Sequence, residues 1–262
     1  MDNKKLAQFI VSLGRFNHYG STVAQTKEAL DSGSVEPLRN DNDDRVLFED
    51  TIRAIETIKE MPFGRDSIIT INAQFVGESD EQPHHPGHLR DGIYDPAQDC
   101  IHVDLWPGDD GGTISYYPPV VVDDEDIDQI VDIWNASSKN DLDAWAMFAR
   151  LAKLQPFQDG NKRTALIAAN HALGAFQSQN YLMPPTGRLY IRFMDGLLGF
   201  YGVGLPGASK SEKEALKEFL QIAPVRKIPL NKFEQRLDQA KDDKRASTAP
   251  TRHYEPSKNK SR

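Results

Sequence analysis

The sequence predicts a mainly α-helical domain carrying one β-hairpin. Three observations predict it. From residue 123 onward, five segments repeat apolar residues at helical spacing, with Pro or Gly in the gaps between them. Ahead of them, two short β-prone runs, Ile101-His102-Val103 and Thr113-Ile114-Ser115-Tyr116, flank the stretch WPGDDGG, the pattern of a hairpin with a Gly-rich connection. No internal repeat of the length that builds solenoids is present.

Taken in order, residues 3–13 place Leu6, Phe9, Ile10 and Leu13 on one helical face. Ser21 or Thr22 caps a short second helix through Leu30. Residues 31–42 gather Gly, Ser, Pro and Asn and predict a loop. Residues 44–60 form an amphipathic helix with Leu47, Ile52, Ile55 and Ile58 toward a core. Residues 67–76 suit a strand or a helix, and periodicity does not choose. Residues 78–123 hold a high share of the Pro, Gly and His, and Pro118-Pro119 closes the hairpin. Helices then follow over 123–136, 141–154, 161–178, 187–200 and 210–222. The first opens with acids at its positive end. A further charged helix is expected over 231–245.

The 262 residues suffice for one large domain, or one domain with extensions. The net charge of -8 is uneven: residues 226–262 carry 11 Lys/Arg and 5 Asp/Glu, so +6, and the rest carries -14. So acidic a body is a poor surface for duplex DNA, and nucleic acid is not an expected partner. The single cysteine, Cys100, excludes an internal disulfide framework and any multi-cysteine metal site; it is expected as a small thiol on a strand. No apolar run approaches a membrane span. The N-terminus lacks the apolar core of a secretory signal, so a cytoplasmic location is expected, a secreted effector being the alternative.

The stretch that carries chemistry is Gln155-Pro156-Phe157-Gln158-Asp159-Gly160-Asn161-Lys162-Arg163. Pro156 ends the preceding helix. Gly160 permits a tight turn. Asn161 is placed to cap the next helix, whose N-terminal N–H groups make an anion site. Lys162 and Arg163 add positive charge there, and Asp159 offers a hard oxygen ligand for Mg²⁺.

The string QPFQDGNKR resembles the signature of the Fic/Doc family, His-Pro-Phe-x-(Asp/Glu)-Gly-Asn-(Gly/Lys)-Arg, at every specified place except the first. The flanking helices, Tyr117-Pro118-Pro119 and Pro86-Gly87-His88-Leu89-Arg90 resemble further elements of that family. The resemblance implies a Fic-fold helical bundle with a β-hairpin flap. It divides the chain into an N-terminal extension (1–49), a Fic domain (50–205) and a C-terminal helix with a basic tail (206–262).

What the resemblance implies for function is transfer of AMP from ATP to a Ser, Thr or Tyr hydroxyl of a target protein, in a bacterial, toxin–antitoxin-like setting. A Doc-like kinase that moves the γ-phosphate is one alternative. A non-catalytic nucleotide- or protein-binding module is the other. Asp159 would position Mg²⁺, and Gly160, Asn161, Lys162 and Arg163 would hold the ATP phosphates. Phe157 would anchor the loop. The flap residues Ile101, His102, Val103 and Asp104 would align the target segment by strand addition. A homo-oligomer is also compatible with this reading.

The departure from the family pattern is Gln155, which stands where the family has the histidine that takes the target's proton. An amide cannot act as that base near neutral pH. His171 on the outgoing helix is expected as a partly buried helix histidine, and His84, His85 and His88 match no zinc spacing. The segment Ser21–Thr26 resembles the family's inhibitory helix, with Gln25 where its glutamate belongs. Ser32 and Glu36 repeat that spacing within a Pro/Gly-rich stretch.

Overall fold

Local sequence signals start most of the helices. In the computed structural model, which describes residues 3–39, 41–79, 82–107, 112–205 and 210–226, helix α1 (Asn3–Gly14) buries Leu6, Phe9, Ile10 and Leu13 as the spacing predicts. A 3₁₀ turn (Arg15–Asn17) leads to α2 (Val23–Ser32), which opens on a capping box between Thr22 and Gln25. Helix α3 (Asn42–Ile58), capped by Asp41, buries Leu47, Ile55 and Ile58, while Ile52 is half-buried. The ambiguous segment is helical: α4 (Arg65–Asn72) buries Ile68 and Ile71.

A loop with one short helical turn, α5 (Pro96–Asp99), then reaches the hairpin. Strands β1 (Val103–Pro107) and β2 (Thr113–Tyr116) are antiparallel, with Val103 opposite Tyr116 and a bulge between Asp104 and Trp106. Helices α6 (Asp124–Asn135), α7 (Asp141–Leu154) and α8 (Asn161–Ala172) follow. After them come a turn, α9 (Ala175–Ser178), and then α10 (Arg188–Tyr201) and α11 (Glu212–Ile222). Met1–Lys227 make one compact unit. The expected helix over 231–245 lies outside the described residues.

Four expectations need correction. The first strand begins at Val103, so Ile101 and His102 precede it. Cys100 follows α5, exposed, and lies on no strand. The helix expected over 161–178 stops at Ala172, because Gly174 takes a left-handed φ of 61° and restarts the chain as α9. Asn161 is the first residue of α8 and not its cap; Gly160 is the cap, with no capping side chain.

The apolar faces meet at α7 and α8, which pack on each other. Helix α6 packs on α7 and α4 on α8, while α10 and α11 close the other side of α7. There Trp145, Phe148, Phe193 and Phe219 form an aromatic cluster with centroids 5.0–6.4 Å apart. Among the described residues no helix is long and apolar enough to cross a membrane.

His171 on α8 is buried, with its Nε2 3.0 Å from the Met61 carbonyl and its ring edge-on to Phe63. Burial holds its pKa below the ordinary value of 6.5. The unfolded chain therefore takes up the proton first as pH falls. Stability should be level above about pH 7 and decline below about pH 6.5, by at most about 1.4 kcal/mol per pH unit. Urea unfolding between pH 8 and 5.5 checks this; His171→Gln, which keeps an N–H for Met61, should flatten the decline.

Candidate active site

Gln155 ends α7 in the left-handed region, at φ 51° and ψ 59°, and reverses the chain. Its buried side chain is enclosed by hydrogen bonds. Nε2 donates to the Ala152 carbonyl at 2.6 Å, and Oε1 accepts from Asn161 Nδ2 at 2.9 Å. The same Asn161 amide group donates to the Phe157 carbonyl at 2.7 Å, and its Oδ1 accepts the Phe157 N–H at 2.9 Å. Asn161 thus staples the loop from inside. What it presents to a ligand is backbone N–H, not its side chain. Phe157 is fully buried and anchors the loop in the core.

Arg90 and Asn72 fix the loop from outside, and Gln158 ties it outward from within. Arg90 is buried and spans three carbonyls: Nε to Gln155 at 2.6 Å, NH1 to Asp99 at 2.7 Å and NH2 to Pro119 at 2.9 Å. Its own N–H donates to the Pro156 carbonyl. Asn72, at the end of α4, donates to the Asp159 carbonyl at 3.0 Å and accepts the Gly87 N–H at 2.8 Å. Gln158 donates to Asp99 Oδ1 at 2.8 Å and accepts the His85 N–H. The sequence reading gave Asn72, Asp99 and Gln158 no part and Arg90 no role.

Gly160 has φ 74°, and a Cβ there would come within 2.6 Å of the Phe75 ring. Only glycine fits both conditions. Asp159 is half-exposed at the tip, with Oδ1 accepting the Gly160 N–H at 2.5 Å. Helices α2, α3, α6, α7 and α11 each begin on a capping side chain, whereas α8 does not. Lys162 is half-exposed on its first turn. Arg163 is buried, its guanidinium 4.6 Å from the Phe75 ring centre and 3.5 Å from Gln82 Oε1. Asp50, whose carboxyl burial pushes above the ordinary range, feels the Arg163 charge.

The hairpin approaches through its second strand. Tyr116 packs on Tyr201 with centroids 5.6 Å apart. The buried Tyr201 hydroxyl lies beside the Gln155 amide without a well-formed hydrogen bond. Along the flap, Ile101 and Val103 are half-buried and His102 and Asp104 exposed. Among the described residues β1 pairs with no strand but β2, and α10 packs against it, with the Trp106 ring on Gly202. Ser21 and Gln25 make local contacts. The Ser21 hydroxyl donates to Asp44 and accepts the Arg39 N–H, and Gln25 binds back to Thr22. His84, His85 and His88 are exposed on the loop before Arg90.

A helix–loop–helix with an uncapped second helix, a tip carboxylate and a hairpin beside it makes an anion-binding class of site. Residues 62–173 match the model of the Fic/DOC family. Two solved structures share the fold. A Fic domain-containing signalling protein from Bacteroides thetaiotaomicron is 18% identical, with a TM-score of 0.54 over 83% of this chain and 80% of that one. Fic-1 from C. elegans is 16% identical, with a TM-score of 0.53 over 93% of this chain and 66% of that one. No curated protein matches in sequence. The architecture is a Fic fold, mainly α with one β-hairpin.

Proposed function

We propose that this chain is a Fic-type transferase scaffold that binds ATP with Mg²⁺ at the 155–163 loop, and that Gln155 leaves AMP transfer to a target hydroxyl impaired or lost. The observation that carries the reading is the loop itself, held rigid by Arg90, Asn72 and Asn161 ahead of a helix start that receives no side-chain cap. Such a start favours phosphate through its N–H groups and dipole. Lys162 and Arg163 add charge, and the stacking of Arg163 on Phe75 keeps its fork in one place. The Asp159 carboxylate suits Mg²⁺, which would neutralise phosphate charge when bound. The β1 edge that no strand pairs with is where an extended target segment would align.

Calorimetry with ATP and Mg²⁺ tests the binding half. Binding should be measurable, because a missing base leaves the ground state intact. Arg163→Ala should weaken it about tenfold or more, and Gln155→Ala much less. Thermal melts of both variants separate lost contacts from lost folding. Equal losses would mean the loop is misassigned, and no binding at millimolar ATP would remove the nucleotide reading altogether.

A further inference from the structure

Beside the hairpin lies an apolar surface that the transfer reaction does not use. Ile93 is 79% exposed, Tyr94 87% and Tyr117 71%, with Val120 and Val121 exposed as well. Backbone pairing makes them one surface: Gly92 N–H donates to the Val120 carbonyl at 2.9 Å, and Asp91 bridges Val121. Tyr117 joins this surface to the flap, its ring 5.7 Å from that of His102. Exposed apolar groups gathered in this way mark an interaction surface.

The charge around it is mostly negative. Residues 91–138 contain twelve Asp or Glu and not one Lys or Arg. Asp104, Asp123, Asp124 and Glu125 are exposed, and Asp91 and Asp95 half-exposed. Three cations come near: Arg90 is bonded to three carbonyls, Lys153 donates to the Phe200 carbonyl, and Arg65 pairs with Asp128 and Asp124 at one margin, which leaves Asp91, Asp95, Asp104, Asp123 and Glu125 as the unneutralised negative charge. A partner for this surface must therefore bring the positive charge itself.

We propose that Ile93, Tyr94, Tyr117, Val120 and Val121 dock a basic segment of a protein partner, its large apolar side chains against the two tyrosines and its Lys or Arg toward the surrounding carboxylates. The identity of that partner as the protein to be modified rests on the reading of the site given above; the docking itself does not. The tyrosines supply rigid contact area at low entropic cost, and the carboxylates speed encounter and exclude acidic competitors.

The test uses the full chain and labelled short peptides of alternating Lys and Leu, with a Glu-for-Lys and a Ser-for-Leu version as controls, read by fluorescence anisotropy. The Lys/Leu peptide should bind, more weakly as salt rises, and both controls should bind at least about tenfold less. The exposed pair Ile93→Ser with Tyr94→Ser, and separately Asp124→Asn with Glu125→Gln, should each weaken binding by a similar factor with unchanged circular dichroism. Binding that survives the first pair, or that is equal for the acidic peptide, overturns the proposal. So does a dimer in sedimentation that the first pair dissociates, since the occupant is then a second copy. ATP calorimetry keeps the two readings apart: an unsubstituted chain that binds ATP but not the Lys/Leu peptide condemns only the docking surface, whereas variants that lose the peptide and keep ATP support it.

Discussion

Gln155→His should raise transfer from ATP onto protein hydroxyls by about 10²–10⁴-fold, the usual contribution of a general base. The backbone is ready for it. Position 155 sits at φ 51°, a left-handed conformation that histidine adopts more readily than most side chains. The surroundings also suit an imidazole: the Ala152 carbonyl can take a ring N–H where it now takes the amide. Burial keeps the other nitrogen unprotonated near neutral pH. In the reaction the acceptor oxygen forms a bond to the α-phosphorus, the bond to the bridging oxygen breaks, pyrophosphate leaves and the ring takes the hydroxyl proton. Incubation with α-labelled ATP reads it as labelled protein. Label arriving only from the γ-position would assign a Doc-like kinase. A variant that binds ATP and labels nothing would make the chain a binding module.

Arg90→Met should cost about 3–5 kcal/mol of stability, a large share of the 5–15 kcal/mol typical of a domain. The guanidinium is the sole side-chain donor bonded to the carbonyls of Gln155, Asp99 and Pro119 among the described residues. Methionine fills much of the volume but leaves the Gln155 and Asp99 carbonyls buried without partners, while water can reach that of the exposed Pro119. Arg90→Lys keeps the charge and one direction of donation, so it should recover part of the loss. Urea unfolding measures both. A loss under about 1 kcal/mol for Arg90→Met would mean that water replaces the fork without penalty.

Much of this was legible in the sequence, because the relevant signals are local. The capping residue Thr22, the apolar spacing of α1 and α3 and the Gly160 turn each follow from a few neighbouring residues, whereas the burial of Phe157 was implied by the family resemblance alone. Asn161 was misread because a side chain at a helix start can face either the helix or the loop behind it, and its choice is set by the Gln155 amide and the Phe157 backbone. Asn72 was out of reach for a different reason: it ends a segment whose periodicity fits strand and helix alike, and its partners lie at residues 87 and 159. Arg90 looks like any surface arginine until the chain closes around it. The first strand starts later than expected because Val103 already pairs with Tyr116, the last residue of β2, so Ile101 and His102 have no partner in the ladder.

The loop that would hold phosphate makes its decisive contacts far along the chain: Arg90 reaches Gln155 across 65 residues, and Asn72 reaches Asp159 across 87. Contacts of that separation reward the chain only after its long loops have closed. The site therefore cannot exist in a partly folded chain or in an excised α7–α8 peptide, even though its whole signature lies within nine consecutive residues. Refolding from denaturant should accordingly recover helical signal before it recovers ATP affinity, which makes nucleotide binding a late reporter of native topology.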